Sequence, residues 1–375
     1  MLNSRQHRTL ACAAAAVSAA LITPIIAVAQ AVALVDALGV FSPENRAEIG
    51  AGSPVVEVLR EHGDDFAVAG AVMTTATPER LVAWSRNIAE LQRSRYVPLI
   101  QRFSSPPRIE DLASLALDED DLDDLEACRP RRCGFKLAAF EIQQVRRAID
   151  SSPRDRRVAA LEAFRSILLA RVRSFQANGL QRAPAYEDEE QPTRPALEFD
   201  AMLGRFANDS LFTPRVAAYL RAFPASRDQG ESFFYWSKDL LGDAKPIISI
   251  THLSILPATA HEPAIVIASQ VFATHYLNAS LSLTAVSDCG ADGRRCLLYL
   301  RRSRVDVFHG TFGGFVRRMV NKRVRAEGRP LLQSFRMKLE SGLPLSTTPS
   351  RCDESPLWRG ICSMGGFGGL RCSQG

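Results

Sequence analysis

Four ionisable side chains fall in or beside predicted strands: Glu231, Lys238, His252 and His275. His275 shares an alternating set with Val271 and Ala273, and Tyr276, Asn278 and Ser280 follow closely. As a general base it would need a proton-bearing substrate within hydrogen-bond reach and a tuned pKa. Glu231 and His252 are then its candidate partners in a cyclase- or isomerase-type centre. A buried histidine satisfied by hydroxyl or backbone groups is the plainer reading. A third is a histidine that orients the polar head of a ligand in an apolar pocket. Ser232 and Ser249 lack the Gly-x-Ser-x-Gly elbow of a hydrolase. Gly290 and Gly293 mark a hairpin turn, and the run from Gly310 to Gly314 has no P-loop Lys-Ser/Thr. The sequence therefore names no reaction and implies no cofactor.

Metal chemistry fares no better. The acidic run Asp118-Glu119-Asp120-Asp121-Leu122-Asp123-Asp124 lacks the glycine and terminal glutamate of an EF-hand loop, and reads as a solvated helix face or helix start. Cys128 and Cys133 are spaced C-x4-C, Cys289 and Cys296 C-x6-C, and no histidine lies near either pair. That spacing suits zinc poorly and disulfides well, the second pair lying across the mouth of a hairpin. Residues 1–29 explain the oxidising chemistry: Arg5 and Arg8 precede an Ala-rich apolar stretch, and Ala27-Val28-Ala29 is a cleavage site before Gln30. An uncleaved anchor is the alternative. The expected address is periplasmic or secreted. Cys352, Cys362 and Cys372 leave an odd thiol in a Ser/Gly-rich tail, 343–375, that reads as disordered.

The precursor carries a formal charge of +5, and loss of Arg5 and Arg8 brings the remainder nearer neutrality, which argues against a dedicated nucleic-acid binder. At 46% hydrophobic residues the chain can build a large core. Strands are predicted at 232–241, 246–257, 264–286 (a pair, with Asn278 at a bend or bulge) and 296–308, rich in β-branched and aromatic residues. Both alternating sets are largely apolar, so the sheet is covered on both sides or wraps a cavity. A long amphipathic helix follows over 310–340, with Pro330 expected to kink or break it. Upstream, 31–62 reads as one or two short helices beginning at Ser42-Pro43-Glu44. A strand at 66–75, a helix capped by Thr77-Pro78-Glu79 and a strand at 95–103 come next. Residues 107–230 read as a helical insertion packed on the sheet.

Successive strands, then Ser303-Arg304-Val305-Asp306 and Gly313-Gly314-Phe315-Val316-Arg317-Arg318-Met319-Val320-Asn321-Lys322 opening a long helix, resemble the closing segment of START-type lipid-transfer domains. These belong to the helix-grip superfamily of polyketide-cyclase-like and plant-allergen-like proteins. The chain also resembles exported bacterial proteins of no established activity. The START resemblance implies an α+β fold, a curved antiparallel sheet gripped by the C-terminal helix, over 66–342 with the insertion inside it. It also implies a lipophilic cavity and no universal catalytic residues. Phe234, Trp236, Val271, His275, Phe315 and Met319 are the expected cavity-lining set. The expected function is to bind or carry a hydrophobic or lipid-like small molecule. The alternatives are the His275 enzyme and an envelope scaffold without a ligand. The basic helix residues Arg317, Arg318, Lys322, Arg323 and Arg325 are either a solvated face or a peripheral contact with an anionic membrane.

Overall fold

A computed structural model describes residues 40–342, apart from 207, 208, 210, 241–243, 290–293 and 310–312. The leader, the hairpin turn at 290–293 and the cysteine-containing tail therefore lie outside the described residues. Three helices start on a Ser/Thr-Pro pair, because the hydroxyl accepts an orphan amide while proline supplies a preset φ. These are α1 (Pro43–Gly50), α2 (Pro78–Arg86) and α8 (Pro214–Ala222), capped by Ser42, Thr77 and Thr213. Asn87 joins α2 to the short α3 (Ile88–Gln92).

The strands are β1 (Val55–Val58), β2 (Asp65–Thr74), β3 (Leu99–Arg102), β4 (Glu231–Asp239), β5 (Ile247–Leu256), β6 (Ile265–Ala273), β7 (Leu277–Asp288) and β8 (Arg295–Val305). They form one eight-stranded sheet in the order β1-β2-β8-β7-β6-β5-β4-β3, antiparallel at every junction. Asn278 is the bulge anticipated from sequence, since the β7–β8 register slips between Leu277 and Ala279. A second irregularity, opposite Ile250/Thr251, makes Val271 the extra residue of β6. Within 31–62 the helix expected from Ser42-Pro43-Glu44 is α1, but Val55–Val58 forms β1 rather than a further helix. Four residues carry too little periodicity to be seen locally, and β1 exists through its pairing with β2.

Between β3 and β4 the chain forms α4 (Glu119–Ala127), α5 (Ala139–Ser151), α6 (Arg156–Asn178), α7 (Pro195–Arg205) and α8. These cover one face of the sheet, here the insertion face. Phe234, Trp236, Ile248, Ile250 and Phe272 pack with Phe164, Ile167, Leu168 and Phe175 of α6. Leu281, Leu283, Leu298 and Leu300 pack with Phe199, Met202 and Val216 of α7 and α8. The opposite face, the helix face, meets α2, α3 and α9 (Gly313–Glu340): Val72, Leu253, Val266, Val286 and Leu297 enclose Leu81, Trp84, Leu332 and Leu339. Cover on both faces is why the strands are apolar at nearly every position. Helix α9 continues through Pro330. Two glycines bring it close to the sheet. A Cβ on Gly328 would stand 2.8 Å from Val56, and one on Gly70 3.2 Å from Leu332.

The insertion is fastened to the sheet by buried charge. Lys136 donates to Asn278 Oδ1 at the bulge (2.7 Å) and to Asp306 beyond β8, with Asp188 3.8 Å away. Burial opposes the ammonium, but Asp306 and Asp188 outweigh it and raise the Lys136 pKa above its ordinary value. Beside it, Arg171 Nε donates to Glu141 Oε1 at 2.8 Å, and Nη2 to the other oxygen, in a buried two-bond pair. Both expected disulfides are present, Cys128–Cys133 and Cys289–Cys296, with Cα separations of 4.3 and 5.6 Å.

Candidate binding site

One half of the helix face is apolar and packed; the other is polar. Ser237 and Asp239 of β4, Ser249 and Thr251 of β5, Ser280 and Ser282 of β7, and Arg301 and Ser303 of β8 sit on it. The ladders pair Ser237 with Ser249, Ser280 with Ser303 and Ser282 with Arg301. In mid-sheet, Thr251, Ala268, Ser282, Tyr299 and Arg301 are only half-buried, while the residues before and after each of them along the strand are buried. A sheet sealed by its helix would bury these central positions first. The helix therefore leaves a trough over strands β5 to β8.

The placement of α9 explains it. Arg317 donates to the Asp65 carbonyl at the start of β2 (2.9 Å), and Thr74 at the end of β2 donates to Glu340 (3.0 Å). The helix thus runs along β2, and its first half flanks the polar end of the sheet. That first half buries little: Val316, Val320 and Val324 are half-buried, whereas Leu332 and Leu339 in the second half are buried. Across the trough, Arg323 stands 5.9 Å from the ring of Tyr96, whose carbonyl accepts from Leu240 just past β4 (2.7 Å).

Asp239 accepts from Ser237 (3.1 Å) and Ser249 (3.0 Å) through one oxygen, leaving Oδ1 without a protein donor. Burial raises its carboxyl pKa above the ordinary range, against the Ser249 hydrogen bond, the charge of Arg301 and the Ser237 hydrogen bond. Burial likewise pushes the neighbouring Tyr235 phenol up to about 12. A raised carboxyl pKa favours the fold when the group is protonated, and that advantage is lost as pH rises through the folded pKa. Asp239→Asn should therefore unfold at a higher temperature than the parent at pH 7. The two midpoints should converge near pH 3, below the ordinary value of 3.8. Thermal melts at both pH values check this. A parent equally stable relative to the variant at both would refute it.

The sequence-derived candidates are not brought together. Glu231 is exposed and pairs with Arg86 at 2.8 Å. Lys238 pairs with Asp118. His252 lies on the insertion face among Phe223, Phe234 and Phe175, with ring centroids 4.5, 4.8 and 5.3 Å away. Burial lowers its pKa to about 3, so its ring is neutral, and Nε2 has no hydrogen-bond partner. With Phe175, Phe199, Tyr219 and Ser269 it borders a cavity of about 150 Å³. His275, at the bend between β6 and β7, holds Nε2 3.3 Å from Asp121 Oδ1 and its ring 5.0 Å from Phe135. The three groups have separate partners and share no site, so no acid–base centre assembles from them.

Phe234, Trp236 and Val271 sit in the insertion-face core, where Trp236 donates to the Asp111 carbonyl at 2.9 Å. Phe315 and Met319 are 54% and 52% exposed on α9. The six expected cavity residues thus lie in different places. The separation comes from α9, which turns Phe315 and Met319 outward; at the bulge, Phe272 comes opposite Ile250 and joins Val271 in the insertion-face core. The acidic run is also more engaged than a solvated face. Asp121 is buried against His275, while Asp118, Glu119, Asp123 and Asp124 pair with Lys238, Arg157 and Lys245.

Sequence reasoning passed over the polar half of the helix face. Its available signal was the recurrence of serine on one alternating set of β4, β5, β7 and β8. The chain matches no protein-family model and no curated protein. Among the described residues, no helix is long and apolar enough to cross a membrane, and no group of His, Cys, Asp or Glu side chains is placed to hold a metal ion.

Proposed function

We propose that this is an exported carrier for an amphipathic, lipid-like molecule, held between α9 and the helix face of a START-like, helix-grip sheet. The observation that carries the reading is the half-buried row Thr251, Ala268, Ser282, Tyr299 and Arg301 at the centre of an otherwise buried sheet. Strand order supports it as well. From β2 onward, with the helical insertion between β3 and β4 set aside, the chain runs strand, two helices, six strands and a long final helix, with β2 and β8 adjacent, as a helix-grip domain requires. Two disulfides suit a compartment outside the cytoplasm. A polar end for the head group and apolar walls for the tail are what an amphipath needs. The test is native mass spectrometry of periplasmically produced protein, with organic extraction of whatever is bound. A protein that emerges empty and takes up no added lipid would end the carrier reading.

An anionic membrane is the proposed source of cargo. Phe315, Arg318, Met319, Lys322 and Arg325 form one exposed stripe of α9, and among the described residues none of its three cations has an ion pair. The only acids of the helix, Glu327 and Glu340, pair with Arg323 and Arg336 instead. Cations near an anionic surface contribute about 1 kcal/mol each, so reversing Arg318, Lys322 and Arg325 to glutamate should reduce partitioning roughly 100-fold. Sedimentation with phosphatidylglycerol-containing vesicles measures this. Equal recovery of parent and variant would refute the contact.

A further inference from the structure

We propose that the cargo of this trough carries an anionic head, a carboxylate or a phosphate, and that Arg301 holds it; this rests on the carrier reading above. Three arginines of β8 invite comparison. Arg302, on the insertion face, pairs with Asp209 (2.8 Å) and with Glu61. Arg304 pairs with Asp65 (3.0 Å), Asp64 (3.3 Å) and Glu198 (2.5 Å). Arg301 faces the other way and, among the described residues, has no carboxylate within ion-pair distance. Its Nε donates to Ser280 (3.0 Å) and Ser303 (3.3 Å), which are themselves joined at 2.9 Å. Among the described residues, neither terminal nitrogen has a protein acceptor.

The guanidinium is half-buried, and its unfilled fork is open to whatever occupies the trough. The planar fork matches a carboxylate or phosphate through two parallel hydrogen bonds. Arg301 is fixed for that purpose, because the two serines hold Nε and set the plane of the group. Its cross-strand neighbour Ser282 is half-buried beside it and adds a hydroxyl donor. Asp239 is felt by Arg301 only at longer range: it makes no ion pair with it, and its hydrogen bonds go to Ser237 and Ser249, so the fork of the guanidinium stays unfilled.

Calorimetric titration of the delipidated protein with oleate, 1-oleoyl lysophosphatidic acid and oleyl alcohol tests the assignment. At least one of the acids should bind tenfold or more tighter than the alcohol, and which one does so tells carboxylate from phosphate. Arg301→Gln should remove that preference while leaving oleyl alcohol affinity unchanged; Arg301→Lys should keep part of it. Should Arg301→Gln fold poorly, Ser282→Glu provides an independent route. It sets a carboxylate across the ladder from Arg301 and should abolish the same preference. A preference that survives Arg301→Gln and Ser282→Glu, or a parent that binds the alcohol as tightly as the acids, overturns the role of Arg301 alone. Failure of all three probes to bind, with no molecule retained in native spectra, overturns the carrier reading itself.

Discussion

Lys136→Met should cost the fold roughly 3–5 kcal/mol, the penalty for removing one partner of a buried ion pair. The ammonium is the hub where the insertion meets the sheet. Its loss takes the donor from Asp306 and the Asn278 side chain and the cation from Asp188, in a setting where Asp306 Oδ1 is already buried and unbonded. Methionine fills a similar volume, so the loss reads charge and hydrogen bonding rather than a cavity. Urea unfolding followed by far-ultraviolet dichroism measures it. With total stabilities of about 5–15 kcal/mol for ordinary domains, such a loss leaves a measurably weakened protein. Adding Asp306→Asn to Lys136→Met should recover part of the loss, because the stranded charge is gone. A single-variant loss under about 1 kcal/mol would place the network among solvated surface pairs.

The second large effect is on binding. Ala268 sits in the floor of the trough, opposite Leu253 on β5 and Ser282 on β7. An indole there has only the open space to occupy. Ala268→Trp should therefore block cargo, with at least a 100-fold loss of affinity for an added lipid. Stability should move by no more than about 1 kcal/mol, as at an unpacked position. The scaffold alternative makes the opposite forecast. If side chains fill the interface, overpacking costs about 1–3 kcal/mol and there is no binding to lose. Titration and melting of one variant thus separate the two.

How much of this was legible beforehand follows from which interactions are local. The Ser/Thr-Pro starts of α1 and α2, the strands β4 to β8 and the bulge at Asn278 are written in short stretches, and all form where the pattern puts them. The insertion helices are likewise periodic enough to read. β1 was hidden because only β2 makes it a strand. The outward turn of Phe315 and Met319 was hidden because α9 is apolar over a wider arc than the sheet covers. The trough was missed for a different reason. Hydrophobic size points to Phe234 and Trp236 as cavity walls, but these and Phe272 lie on the face packed by α6, while Phe233 and Tyr235 join the packed half of the helix face. The interior that stays open is lined by serines, which no apolar pattern marks.

The junction between β2 and β8 has a consequence for biogenesis. Asp65 is paired with Arg304, so the ladder spans nearly the whole described chain in sequence. Until β8 has emerged, β2 and β7 each present a bare row of amides and carbonyls, the kind of margin that recruits foreign strands. Closures across so great a length are slow. Any truncation ahead of Arg295 would strand both margins permanently, yielding not a smaller working protein but one prone to precipitate.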